Sequence, residues 1–247
     1  MDNAAELATT AGRGYGAAMN NTLRTLSIAA LALSLAACIR INDTDDAGNN
    51  AAAQADAAAA AMANAPQDTG ALVPADAFLA ALATHCGQAF AGRIVANAPA
   101  SPEPDAFEGK PLVMHVRGCA DPAHVLEVPF HVGDDHSRTW VLTRTNTGLR
   151  LKHDHRHEDG SHDAVTMYGG DTASAGTAVR QEFPVDAESI AMFEKEGLNA
   201  SVSNTWAMEI EPGQRFLYEL TRPGGREFKV EFDLTRPVEL PPTPWGH

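Results

Sequence analysis

Residues 138–157 read RTWVLTRTNTGLRLKHDHRH, and this stretch decides the fold. Two runs, 138–145 and 149–157, alternate side chains at the two-residue period of a strand, and Asn146-Thr147-Gly148 between them is a short hairpin connection containing glycine. Strand side chains point alternately to opposite faces. Leu149, Leu151, His153, His155 and His157 therefore share one face, and Arg150, Lys152, Asp154 and Arg156 the other. A face that begins as aliphatic core continues as imidazole.

The same period recurs on both sides of the hairpin. Leu112, Met114 and Val116 alternate, as do Leu126, Val128, Phe130 and Val132. Further on come Trp206, Met208 and Ile210, then Phe216, Tyr218 and Leu220, then Phe228, Val230, Phe232 and Leu234. Helical spacing is confined to two places. Asp76 is placed to cap a helix carrying Phe78, Leu79 and Leu82, and Asp186 to cap one running to Glu196 and stopped by Gly197. Residues 97–109, with three prolines, read as a loop, and the Pro-rich end carries Trp245 onto the domain. The expectation is an all-β domain with minor helices over residues 76–247. Seven to nine antiparallel strands would form a meander closed into a calycin-like barrel or a sandwich. The chain shows neither strand–helix alternation nor a Gly-rich phosphate loop.

The histidines are the best functional clue. Same-face residues lie about 7 Å apart along a strand, so an adjacent pair converges on one metal, whereas three on a straight strand span about 13 Å and do not. A site would take two of His153, His155 and His157 with a partner from elsewhere. His162, Glu158, Asp159 and Asp163 are the local candidates, and His115, His131 and His136 the distant ones. Neutral imidazoles with carboxylates suit a transition metal such as zinc or copper. The plainer reading is a polar strand end near a barrel mouth, hydrogen-bonded to its neighbours. Glu158 or Asp159 would handle protons if the site were a metal-dependent enzyme. No G-x-S-x-G elbow is present.

The N-terminus reads as an address. Arg24 precedes an apolar run from Leu26 to Leu35, too short for an ordinary membrane span, and small residues lead to Cys38. Residues 1–37 are thus a signal peptide, with Met19 a plausible start, and 38–75 an Ala-rich linker. Leu35-Ala36-Ala37-Cys38 resembles the lipobox of bacterial lipoproteins, which implies acylation of Cys38 and a bilayer as partner. Several acyl chains anchor stably where one does not. Ile39 after the cysteine favours an outer-membrane anchor facing the periplasm; secretion or surface display is the alternative. In that oxidising compartment Cys86 and Cys119 are free to form a disulfide worth roughly 3 kcal/mol, or else remain two buried thiols. A formal net charge of -14 argues against nucleic acid as a partner.

Thr139-Trp-Val-Leu-Thr-Arg144, Leu151 to Gly160, Tyr168-Gly-Gly170 and Pro244-Trp-Gly246 together resemble an uncharacterised family of exported bacterial proteins. The likeness spans about residues 80 to 247 and implies a single domain without implying an activity. The expectation is a lipid-anchored periplasmic protein that binds a transition metal or small ligand at the histidine strand. The alternatives are a metal-dependent enzyme using the same histidines, or a structural envelope lipoprotein with no small-molecule site.

Overall fold

The structure is a computed structural model that describes residues 73–100 and 105–247. The expected signal peptide, the lipobox with Cys38 and most of the linker lie outside the described residues. The described part is mostly β, an antiparallel sheet of eleven strands rolled into a nearly closed barrel, with two α-helices.

Helix α1 is Pro74–Ala83, and the strands follow as β1 Ala89–Ala98, β2 Leu112–His115, β3 Gly118–Asp121, β4 Val125–Val132, β5 Asp135–Arg144 and β6 Leu149–His155. After β7 Tyr168–Asp171 and β8 Arg180–Pro184 come helix α2 Ala187–Lys195 and a 3-10 turn. Strands β9 Thr205–Glu211, β10 Arg215–Arg222 and β11 Arg226–Asp233 complete the set. The order around the sheet is β7-β6-β5-β4-β2-β1-β11-β10-β9-β8, with β3 added to β4. The 138–157 hairpin forms as expected, with Trp140 opposite His153 and Leu142 opposite Leu151. Its inner side chains meet those of β9, β10 and β11, whose registers align Met208, Tyr218 and Val230 on one level. Trp140 lies at the centre, stacked on Tyr218 at 4.6 Å and on Phe130 at 4.9 Å between ring centroids.

The two ends of the sheet, β7 and β8, do not form a ladder with each other; they meet through α2. The Asp186 N–H donates to the Gly169 carbonyl at 2.9 Å, and the Gly169 N–H donates to Ser189 Oγ at 2.8 Å. The approach is close enough that a Cβ at Gly170 would overlap the Pro184 carbonyl oxygen, so only glycine fits. Asp186 caps α2 as expected, accepting from the Ser189 N–H at 2.8 Å.

Other expectations shift. Asp76 does not cap α1: the helix begins at Pro74, whose fixed φ suits the first helical position, and Asp76 in the first turn pairs with Arg144 instead. Four strands, the ten-residue β1 and the short β3, β7 and β8, lie where no period-2 apolar run announced them. Cys86 and Cys119 are joined in a disulfide, with Cα atoms 6.1 Å apart. Beyond β11, Val238 donates its N–H to Ala89 of β1 and Trp245 donates its N–H to His136 of β5. The C-terminal segment thus reaches from β1 to β5, past β2 and β4, and the Trp245 ring meets that of His136 edge-on.

Candidate ligand site at one end of the barrel

Helix α1 is tied to Arg144 at the end of β5, and the histidines belong to the opposite end, opposite Arg138 and Trp140 near the start of that strand. His153 is buried there among Tyr168, Trp206 and Tyr218. Its Nδ1 lies 3.1 Å from the Tyr168 carbonyl, which only accepts, so Nδ1 carries the proton. The bare Nε2 then accepts from the Tyr218 hydroxyl at 2.9 Å. Burial pushes the pKa of His153 down to about 3, against the pull of the Tyr168 carbonyl, so the ring is neutral at pH 7. His155 Nε2 lies 3.0 Å from the Tyr168 hydroxyl, and burial, helped by the nearby Arg138 charge, holds this imidazole neutral too. Burial raises both tyrosines, which stay protonated.

Among the described residues that line the cavity at this end, Arg138 is the charged one. Its Nη1 pairs with Asp135, its guanidinium lies over the Phe107 ring at 5.3 Å, and its charge acts on His155, Tyr168 and Tyr218 alike. Arg138, His155, Tyr168 and Tyr218 line a cavity of about 30 Å³, with Phe107 and Phe228 among its apolar walls. That volume suits a molecule of a few atoms. Phe107 reaches the site from the loop before β2 and stacks on Phe130 at 5.6 Å.

The expected site residues divide. His153 and His155 come together inside the barrel, bridged by Tyr168. His157 does not continue the inward face, because β6 ends at His155 and the chain turns: the His157 N–H donates to the Ser161 carbonyl at 2.8 Å. Glu158 is exposed on that turn, and Asp163 accepts from the Val165 N–H at 2.7 Å to shape the next one. His162 lies on the outer side, 3.5 Å from Asp154. Among the described residues, no group of three or more His, Cys, Asp or Glu is arranged to hold a metal ion.

The face of β6 that carries Arg150, Lys152, Asp154 and Arg156 lies opposite the histidines and is itself partly covered. Lys152 and Asp154 are buried. The Lys152 ammonium reaches Asp186 at 2.7 Å, and Asp154 accepts from Arg156 and from Thr166 Oγ at 3.2 Å. Sequence reading passed over Arg138, Tyr168 and Tyr218 as site residues. Arg138 carried a usable signal, since it shares the two-residue period with Trp140 and Leu142 and so points inward with them.

Comparison with protein-family models, with curated proteins and with solved structures gives no match to this chain.

Proposed function

We propose that this is a lipid-anchored protein of the bacterial envelope whose barrel binds a small ligand beside His155, Arg138 and Tyr168. The lipobox-like Leu35-Ala36-Ala37-Cys38 supports the anchor, and the Cys86–Cys119 disulfide suits the periplasmic side of the outer membrane. One observation carries the ligand reading: Arg138, buried and committed through Nη1 to Asp135, lines a cavity whose other polar residues, Thr139, Trp140, Tyr168, Tyr218, His153 and His155, are all uncharged. Such a setting favours a compact ligand with an anionic or hydrogen-bond-accepting head and a short apolar body against the phenylalanines. A metal at this end, whether held for binding or for catalysis, is the less favoured reading, because both ring nitrogens of His153 and Nε2 of His155 already face hydrogen-bond partners.

The test is a thermal-shift screen of the full chain, purified without a polyhistidine tag, against small carboxylates, phosphates and their neutral analogues. An anionic member should raise the midpoint in the wild type and lose most of that effect in Arg138→Gln. If no member raises it, or if Arg138→Gln responds as the wild type does, the reading fails. Elemental analysis of the same preparation tests the metal alternative.

A further inference from the structure

A second group of histidines lies outside the barrel. On β4, Leu126, Val128, Phe130 and Val132 point into the core, so His131 points outward, and on β2 the same alternation turns His115 outward beside Met114. Yet both rings are buried, His131 at 2% exposure and His115 at 8%. The strands are antiparallel neighbours with Val113 opposite His131, which makes His115 the diagonal neighbour of His131 on that outer face. Diagonal pairs are separated by about 7–8 Å, within reach of long or aromatic side chains.

The hydrogen bonding of this pair is incomplete. His131 Nδ1 lies 2.7 Å from His136 Nδ1, but His131 Nε2 and His115 Nδ1 are buried and have no hydrogen-bond partner among the described residues. A buried nitrogen without a partner costs about 1–3 kcal/mol, and such a group in a native structure calls for an explanation, an ion among them. If His131 donates its Nδ1–H to His136, its Nε2 is a bare lone pair. That is the usual arrangement of a metal-binding imidazole, whose far N–H is held by an acceptor. Burial, followed by the charge of His136, lowers the pKa of His131 to about 4, and burial followed by Arg117 lowers that of His115. Both rings are therefore neutral at pH 7, the state that binds metal.

We propose that His115 Nδ1 and His131 Nε2 together bind one closed-shell transition-metal ion, copper(I) or zinc(II), with His136 as the residue that orients His131. Copper(I) is satisfied by two nitrogens in line, whereas zinc would add ligands from solvent. The site is separate from the barrel interior and stands or falls independently of the ligand reading above. It lies in the stretch of sheet that the C-terminal segment passes between Ala89 and His136.

The experiment titrates the full chain, without a polyhistidine tag, with copper(I) kept reduced by ascorbate and, in parallel, with zinc(II), against a chromophoric chelator. One equivalent of at least one metal is expected. His115→Ala and His131→Ala should each reduce it below about a tenth of an equivalent, while His136→Ala should weaken binding by about 10–100-fold and keep the stoichiometry at saturation. His124→Ala, an exposed histidine paired with Asp121, serves as the control and should bind as the wild type does. Binding below about a tenth of an equivalent for both metals in the wild type, or retention of metal in His115→Ala and His131→Ala, overturns the proposal. Should either variant fail to fold by circular dichroism, X-ray absorption on the metal-loaded wild type decides. Two imidazole scatterers support the site, and a shell without imidazole overturns it.

Discussion

The inner histidines of β6 and the outer histidines of β2 and β4 are the same residue type under opposite conditions. His153 uses both ring nitrogens, one on a carbonyl and one on a phenol, inside a stack of tyrosine and tryptophan. His131 uses one, and His115 leaves Nδ1 with none, although both are buried too. Burial alone therefore says little about what a histidine is for. An imidazole whose hydrogen bonds are complete holds the fold together, and one whose hydrogen bonds are incomplete is better placed to hold something else.

That contrast breaks most visibly at Trp140, against which Tyr218, and through it His153, is packed. Trp140→Ala should destabilise the domain by about 3–5 kcal/mol in urea melts, the ordinary loss for a large core aromatic. A loss under about 1 kcal/mol would show that the aromatic stack is not what fixes the inner histidines. Next, Tyr218→Phe keeps the ring and leaves His153 Nε2 without its donor, which should cost about 1–3 kcal/mol by the same measurement. An unchanged midpoint would erase the distinction between the two sets of histidines.

Acid acts on both sets in one direction. The folded pKa values of His153 and His131 lie below the ordinary 6.5, so below that pH the unfolded chain binds more protons than the folded one. Stability should fall as pH drops from about 6.5 toward 4, by at most about 1.4 kcal/mol per pH unit for each such histidine. Urea melts at several pH values check the slope, and a flat profile would contradict the buried neutral imidazoles. The smallest effect is expected outside the barrel. Without added metal, His131→Leu removes an unpartnered nitrogen and should leave stability within about 0.5 kcal/mol of the wild type or slightly above it. A loss of about 2 kcal/mol would mean that the bond to His136 matters more than the missing partner.

The hairpin of β5 and β6 was legible because its inner face faces only the core and shows the two-residue period directly. The same holds for β9, β10 and β11. The cap at Asp186 and the pairing of Cys86 with Cys119 followed from local chemistry and cysteine count. What stayed hidden depends on contacts between distant segments. β7 is Tyr-Gly-Gly-Asp, too short and too glycine-rich to alternate, because it passes close to β8 at the point of closure. Lys152 and Asp154 could be placed on the face opposite the histidines, but nothing local says that Asp186 and the turn after β6 bury them there. The partner of His153 was legible only as an apolar position on β10: nothing local in Phe216-Leu217-Tyr218 says that its hydroxyl meets an imidazole sixty-five residues away.

Closure through α2, instead of through a ladder, makes the wall of the barrel unequal around its circumference. Every other pair of neighbouring strands is held by a row of backbone hydrogen bonds, whereas β7 and β8 are fastened chiefly by Ser189 and the Asp186 amide. Thermal opening should begin along that line, so the backbone amides of Tyr168–Asp171 should take up deuterium before those of β4 and β5. A cylinder with one such line behaves mechanically as a curled ribbon: it can admit a guest at its edge while the rest of the wall keeps its shape.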